Sequence, residues 1–170
     1  MASILSFLGF GKEDSTDSEA IARIAQALDR LDERRARYIA AFAFVLSRLA
    51  AADHDVADEE AASIERMVRE KGGLPADQAA LVVEMATREQ RVFGATDDFL
   101  VTRELQRDAS YDERLQLVEC LFAVAAIEGS ISMAEETEIH RILNQLKIQP
   151  TDLTALRVAH RSHLPGIRPA

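Results

Sequence analysis

One pattern of residues occurs twice in the chain, and this repeat limits the folds that the sequence can adopt. The two copies match in apolar and acidic positions at a constant offset of 75: Leu46 with Leu121, Asp53 with Glu128, Val56 with Ile131, Glu60 with Glu135 and Ile64 with Ile139. Each copy reads as a buried helix, an acid, a short turn with one aliphatic residue, and a second helix with a glutamate in its first turn. Two such helix-turn-helix hairpins predict pseudo-twofold packing, with the two apolar helices meeting at the centre.

Apolar residues recur at helical spacing along almost the whole chain, and no strand pattern appears. Residues 34–52 include YIAAFAFVLSRLAAA and are apolar nearly all round, which is typical of a central helix. Two glycines at 72 and 73 predict the end of a helix. Helix starts are expected at or just after four residues: Pro75, Ser110, Ser132 and Pro150. We therefore predict an all-α fold, a single compact bundle of seven to eight helices with two pseudo-symmetric hairpins.

The 170 residues suffice for one domain, which we expect to span residues 18–163, between a flexible N-terminal segment (1–17) and a C-terminal tail (164–170). No apolar run reaches the ~20 residues of a membrane span. The apolar stretch from Ile4 to Phe10 lacks the basic region and cleavage site of a secretory signal, so we expect at most a peripheral contact with a membrane or a partner. The single Cys120 excludes an internal disulfide, fits a reducing compartment and is predicted to be buried and unreactive.

The formal net charge of −9 predicts a surface that repels nucleic acid and anionic lipid, which leaves cations and basic protein surfaces as partners. The charge is unevenly distributed, because no acid follows Asp152, whereas Arg157, His160 and Arg161 lie in this last part of the chain. The simplest interpretation is that these basic residues pair with acids inside the molecule. The alternative is a contact site for a small anion or a partner.

The acids of the repeated turns form the candidate functional site. An EF-hand loop requires an oxygen donor at position 5 and a glutamate at position 12. Counting from Asp53 places Ala57 and Ile64 at these positions, which excludes an EF-hand. One interpretation that remains is structural, because the sequence SMAE from Ser132 to Glu135 is a capping box for the helix that follows.

The other interpretation is a metal site. Asp53 and Glu128 are expected at the end of the preceding helix, where the helix dipole disfavours an acid and a compensating cation is needed. Asp53 with Glu60, and Glu128 with Glu135, would then offer paired carboxylates to Ca²⁺ or Mg²⁺. His54 leaves a smaller opening for Zn²⁺. Both interpretations stay open, as does the question of one shared site or two.

Motifs of catalysis are missing from the sequence. It contains no zincin helix motif, no glycine-rich phosphate loop and no serine elbow. Glu136 and His140 are one helical turn apart but do not have the Glu-x-x-His spacing of a di-iron bundle. The sequence therefore predicts a protein that is not an enzyme.

The same motifs resemble the tellurite-resistance TerB family. Its signature is two copies of Ala-Asp-Gly followed by an aliphatic residue, with a glutamate six residues after the glycine. The similar segments are LAAADHDVADEEAASIERMV and YDERLQLVECLFAVAAIEGSISMAEETEIHRILNQLKIQPTDL, and the similarity extends over roughly residues 20–160, with FLVTREL included. The N-terminal domain of DjlA-type co-chaperones shares this signature.

The resemblance implies a compact all-helical domain, cytoplasmic or at the inner face of the membrane, with a protein partner in a stress-response or chaperone-linked assembly. It also implies metal binding by the motif acids, which are Asp53 and Glu60 in one copy and Glu128 and Glu135 in the other. This chain departs from the signature twice, because His54 replaces the first glycine and Glu128 replaces the second aspartate. The first change strains the turn if a left-handed conformation is required there, and the second lengthens a ligand by one methylene.

Overall fold

The computed structural model describes residues 15–53, 61–88 and 98–166. These ranges contain eight α-helices and no strand. The helices are α1 (Ser15–Asp29), α2 (Glu33–Asp53), α3 (Ala61–Glu70), α4 (Ala76–Thr87), α5 (Asp98–Asp108), α6 (Tyr111–Ala125), α7 (Met133–Gln145) and α8 (Pro150–Ala159). The predicted all-α bundle is confirmed. Within the described ranges, no helix is both long and apolar enough to span a membrane.

Helix α2 is the centre of the bundle, as its sequence predicted. Every residue from 38 to 49 is buried, and α2 packs against α1, α4, α5, α6 and α7. Several of these residues are alanines, whose small side chains leave room for neighbouring helices to approach. Helix α6 is the second buried helix and contains Cys120, which is fully buried. Burial, with a smaller contribution from Glu119, raises the pKa of the Cys120 thiol to about 12, so the predicted buried cysteine is confirmed.

The structure contains the local features from which the helix boundaries were predicted. After α3, Gly73 takes a φ of 67°, a left-handed conformation that glycine adopts at little cost. Pro75 is the N-cap of α4, and Pro150 is the first residue of α8. Ser110 caps α6 and forms a capping box with Glu113, a box that the sequence contains but that was predicted only as a helix start.

The repeated segments correspond to α2 with α3 and to α6 with α7. The first helix of each copy packs against the second helix of the other, since α2 contacts α7 and α6 contacts α3, and α2 and α6 also contact each other. An approximate twofold axis would produce this reciprocal packing. The predicted turn of the first copy falls on residues 54–60, which are outside the described residues. The pseudo-symmetry of the hairpins and the predicted domain limits therefore stay predictions.

A buried ion pair holds α7 against α2. The Arg48 guanidinium lies 2.6 Å from Glu138 Oε1, and the two side chains are 7% and 12% exposed. Arg48 Nε also donates to Glu138 Oε1, and Nη1 donates to Gln145 Oε1 at 2.9 Å. These contacts hold the inner face of α7 against α2.

Candidate functional site

The turn between α6 and α7 contains the acid of the second repeat. Helix α6 ends at Ala125, and Glu128 lies in the turn that follows, not at the helix end as expected. The last hydrogen bonds tighten this turn, because Ile127 N–H donates to Val124 O at 3.1 Å. Glu128 is exposed, and no described residue forms an ion pair with it. An exposed carboxylate beyond the helix is solvated, so the dipole of α6 gives no reason to expect a compensating cation at Glu128.

Glu135 closes the predicted capping box at the start of α7. Its backbone N–H donates to Ser132 Oγ at 3.1 Å, and its Oε2 accepts a hydrogen bond from Ser132 N–H at 2.8 Å. Both bonds satisfy amides that a helix N-terminus leaves without partners. The capping interpretation is therefore confirmed for Glu135.

The first copy of the motif falls mostly outside the described residues. Asp53 is the last residue of α2, but its side chain and residues 54–60, which include His54 and Glu60, are not among those described. In the described part of the chain, no three His, Cys, Asp or Glu side chains are grouped so that they could hold a metal ion. Whether Asp53 and Glu60 join Glu128 and Glu135 in a metal site stays a prediction.

The second copy shows what the motif glycine does. Gly129 has a φ of 90°, a left-handed conformation that few other residues adopt without strain. After it, the aliphatic residue of the motif, Ile131, is buried in the core at 2% exposure. The glycine thus allows the chain to turn back so that Ile131 enters the core. His54 occupies the matching position of the first copy and lies outside the described residues.

The segment after α8 anchors this turn. Ile131 N–H donates to the carbonyl of His163 at 2.7 Å, and His163 Nδ1 lies 3.1 Å from the carbonyl of Gly129. Because a carbonyl oxygen can only accept, the Nδ1 nitrogen carries the proton. Leu164, which follows directly, is buried in the core. The turn of the second repeat is therefore tied to the C-terminal part of the bundle.

His160 attaches the same segment to α6. Its ring stacks on Phe122, with ring centroids 5.4 Å apart and an angle of 15° between the planes. Burial lowers the pKa of the His160 imidazole, and the charges of His163 and Lys71 act in the same direction, whereas Glu119 opposes them. The neutral form of His160 is thus the one that fits this position.

Arg157, the basic residue of α8, is paired inside the molecule. Its Nη2 lies 2.9 Å from Glu136 Oε1, and its Nη1 lies 2.8 Å from His140 Nε2. Because a guanidinium only donates, His140 Nε2 accepts, and it cannot also donate to Glu136, which is 3.9 Å away. Arg161 is exposed. The structure gives Arg157, His160 and Arg161 different surroundings, and an anion site formed by the three stays a prediction.

An open groove lies between α7 and the residues that follow α8. It has a volume of about 560 Å³ and is lined by Met133, Glu136, Thr137, His140, Pro165 and Gly166. Met133, one of the lining residues, is 75% exposed. The groove was not predicted. Its one signal in the sequence is Met133 itself, a large apolar residue in the first turn of a helix where the other copy has Asp58.

The comparison with protein families gives one result, and those with curated proteins and with solved structures gave no match. The family model described as "Tellurite resistance protein TerB" matches residues 38–158. This range includes both copies of the acidic motif, most of the central helix α2, all of α6 and nearly all of α8. The match covers most of the chain, and the chain therefore belongs to the TerB family.

Proposed function

We propose that this protein is a non-enzymatic interaction domain that binds a basic protein partner in the groove between α7 and the segment after α8. Membership of the TerB family supports a role in a stress-response or chaperone-linked assembly, in the cytoplasm or at the inner face of the membrane. The observation that carries the proposal is Met133, a large apolar side chain that lines the groove and is 75% exposed.

Met133 and the groove have the properties of an anchor site. Full burial of a methionine side chain contributes about 1.5–3 kcal/mol, which is the range of an interface anchor. Pro165 and Thr137 add apolar surface to the walls, and the volume of about 560 Å³ is large enough for one or two side chains of a partner. An apolar residue of the partner that contacts Met133 would thus gain affinity without any rearrangement of the bundle.

The charge of the chain indicates what kind of partner binds. The formal net charge is −9, and the exposed Glu128 and the partly exposed Glu135 and Glu136 belong to the turn and helix beside the groove. Complementary charge speeds association and excludes wrong partners. A basic protein surface fits this arrangement, whereas nucleic acid is repelled.

The surroundings of Cys120 and His140 support a role without catalysis. The Cys120 thiol is buried, and its pKa of about 12 keeps it protonated. His140 Nε2 accepts a hydrogen bond from Arg157, so this nitrogen is not free to act as a base. Neither residue offers a nucleophile or a base to the groove.

Site-specific photocrosslinking in cells tests this proposal. A photoreactive phenylalanine analogue is placed at Met133 and, as a matched control, at Ala80, an exposed position of α4, which packs against α1, α2 and α3. We expect a discrete adduct with a basic protein from position 133 and none from position 80. Identical adduct patterns from both positions would contradict the proposal.

A divalent cation bound by the motif acids is the second candidate function. The favouring observation is that Glu128 is exposed in a fixed turn and forms no ion pair with a described residue. Glu128 and Glu135 would bind it, either together with Asp53 and Glu60 in one shared site or as one of two separate sites. Such oxygen ligands would favour Ca²⁺ or Mg²⁺ over Zn²⁺, for which His54 of the first copy would be the suited ligand.

Calorimetric titration of the metal-free protein with Ca²⁺, Mg²⁺, Mn²⁺ and Zn²⁺ tests the second candidate. Binding that disappears in Asp53→Asn/Glu128→Gln would support it. A metal site also predicts that this double variant melts at a higher temperature than the wild type without metal, because neighbouring carboxylates repel each other. If no heat is released and no metal raises the melting temperature, the acids serve only as caps and solvated surface.

A further inference from the structure

The segment from His160 to Gly166 is attached to the bundle at three places. His160 stacks on Phe122 of α6, the His163 backbone and ring bond the turn at Gly129 and Ile131, and Leu164 is buried at 4% exposure. Pro165 and Gly166 follow and line the groove opposite α7. Whatever loosens these attachments therefore moves a wall of the groove.

Among these attachments, the one at His160 depends on protonation. The ring lies against Phe122, which is fully buried, so a charge on the ring loses hydration. Lys71, just after α3, and His163 face the ring with positive or potentially positive charge, while Glu119 of α6 opposes them and is itself 3.5 Å from Lys71 Nζ. Burial is the largest of these effects, and together with the two basic neighbours it lowers the pKa of His160.

The other two described histidines respond differently. His163 donates from Nδ1 to Gly129, and it does so whether or not the second nitrogen is protonated, so this bond survives a fall in pH. His140 would lose its bond from Arg157 on protonation, but that bond joins α7 to α8 and does not hold the segment. His160 is therefore the residue through which pH acts on the segment.

We propose that residues 160–166 form a pH-responsive latch, in which protonation of His160 disfavours the partly buried position of its ring on Phe122 and releases the segment from the turn between α6 and α7. The direction of the pH effect follows from the lowered pKa of His160, because the released segment takes up a proton at a higher pH than the attached segment. The latch is closed above the ordinary pKa of histidine, about 6.5, and opens progressively as the pH falls below it. Its effect on partner binding rests on the proposed function of the groove, whereas the latch itself does not.

Hydrogen exchange of the Ile131 amide measures the latch directly, since this N–H is bonded to the His163 carbonyl. Protection, corrected for the intrinsic effect of pH, is compared at about pH 7.5 and about pH 5.5, on either side of the ordinary histidine pKa. We expect protection in the wild type to fall severalfold, up to about tenfold for each unit by which folding lowers the pKa. His160→Phe keeps the stacking and cannot be protonated, so its protection stays constant, while His140→Gln keeps the acceptor for Arg157 and responds like the wild type.

Equal protection of the wild type at both pH values, or the same fall in His160→Phe, would overturn the latch. If His160→Phe does not fold, an NMR titration of the His160 imidazole in the wild type tests the latch instead. A pKa at or above the ordinary value would leave no driving force for opening and would overturn the proposal. The partner is not used in either measurement. Failure of the latch thus leaves the crosslink at Met133 intact, and failure of that crosslink leaves the exchange result intact.

Discussion

Two glutamates on different faces of α7 pair with arginines of other helices, and the surroundings of these two pairs differ. On the inner face, Glu138 and Arg48 are 2.6 Å apart, with exposures of 12% and 7%. On the outer face, Glu136 and Arg157 are 2.9 Å apart, with exposures of 19% and 40%. The two pairs have nearly the same length and chemistry, so burial is the main variable between them.

This difference separates the face that maintains the fold from the face to which our proposal assigns partner binding. Breaking a buried pair leaves a charge without compensation away from water, and this is costly. An exposed pair gains little, because water and salt screen both charges. Glu136 of the outer pair lines the groove, and under the proposed function its arginine would be exchanged for a charge of the bound protein at small cost.

The largest expected effect is that of breaking the inner pair. Arg48→Met leaves Glu138 with Arg141, an exposed arginine at 3.1 Å, as its remaining charged partner. We expect the free energy of unfolding to fall by about 3–5 kcal/mol, as for other buried pairs that lose one member. Urea denaturation measures this change.

The double variant Arg48→Met/Glu138→Leu is the matched control for the inner pair. It removes both charges and should recover most of the lost stability, because apolar residues of similar volume often replace a buried pair without loss. If the double variant is as unstable as Arg48→Met, packing of the arginine stem rather than charge holds α7 to α2.

An intermediate loss of stability is expected from a substitution at the start of α7. Ser132→Ala removes the hydroxyl that accepts from Glu135 N–H, and it should lower the free energy of unfolding by about 0.5–2 kcal/mol. Ser130→Ala, at an exposed position in the turn, serves as the control and should change stability by less than about 0.5 kcal/mol. Equal effects of the two substitutions in urea denaturation would show that the capping box contributes little.

The smallest effect is expected from the outer pair. Arg157→Ala should change the free energy of unfolding by about 0–1 kcal/mol, after allowance for screening of this exposed side chain. The measurement is the same denaturation, repeated at high salt, where the difference from the wild type should shrink. A loss as large as that of Arg48→Met would mean that both faces of α7 maintain the fold.

The sequence predicted those features that depend on neighbouring residues. Ser132 with Glu135, Pro75 before α4 and Gly73 after α3 each act within a few positions, so their residue types are sufficient to predict them. The end of α6 was misplaced because Ala126 and Ile127 suit a helix, and Gly129, with its left-handed conformation, stands only after Glu128.

Contacts between distant parts of the chain could not be predicted in this way. Arg48 and Glu138 are 90 positions apart, and nothing in either segment distinguishes this arginine from a solvated one. The groove likewise depends on how α7 meets Pro165, which only the packed bundle determines. The family signature directed attention to four acids, whereas the exposed apolar residue beside them, Met133, is outside that signature.

The most direct test of the interaction function is the affinity of Met133→Glu for the partner captured by crosslinking. Ala80→Glu is the control, because it also places a carboxylate at an exposed helical position, and the melting temperatures of both variants should match that of the wild type. The loss of an apolar anchor worth about 1.5–3 kcal/mol predicts a dissociation constant at least about tenfold higher for Met133→Glu, and an unchanged one for Ala80→Glu. Wild-type affinity in both variants would contradict the claim that this groove is the binding site.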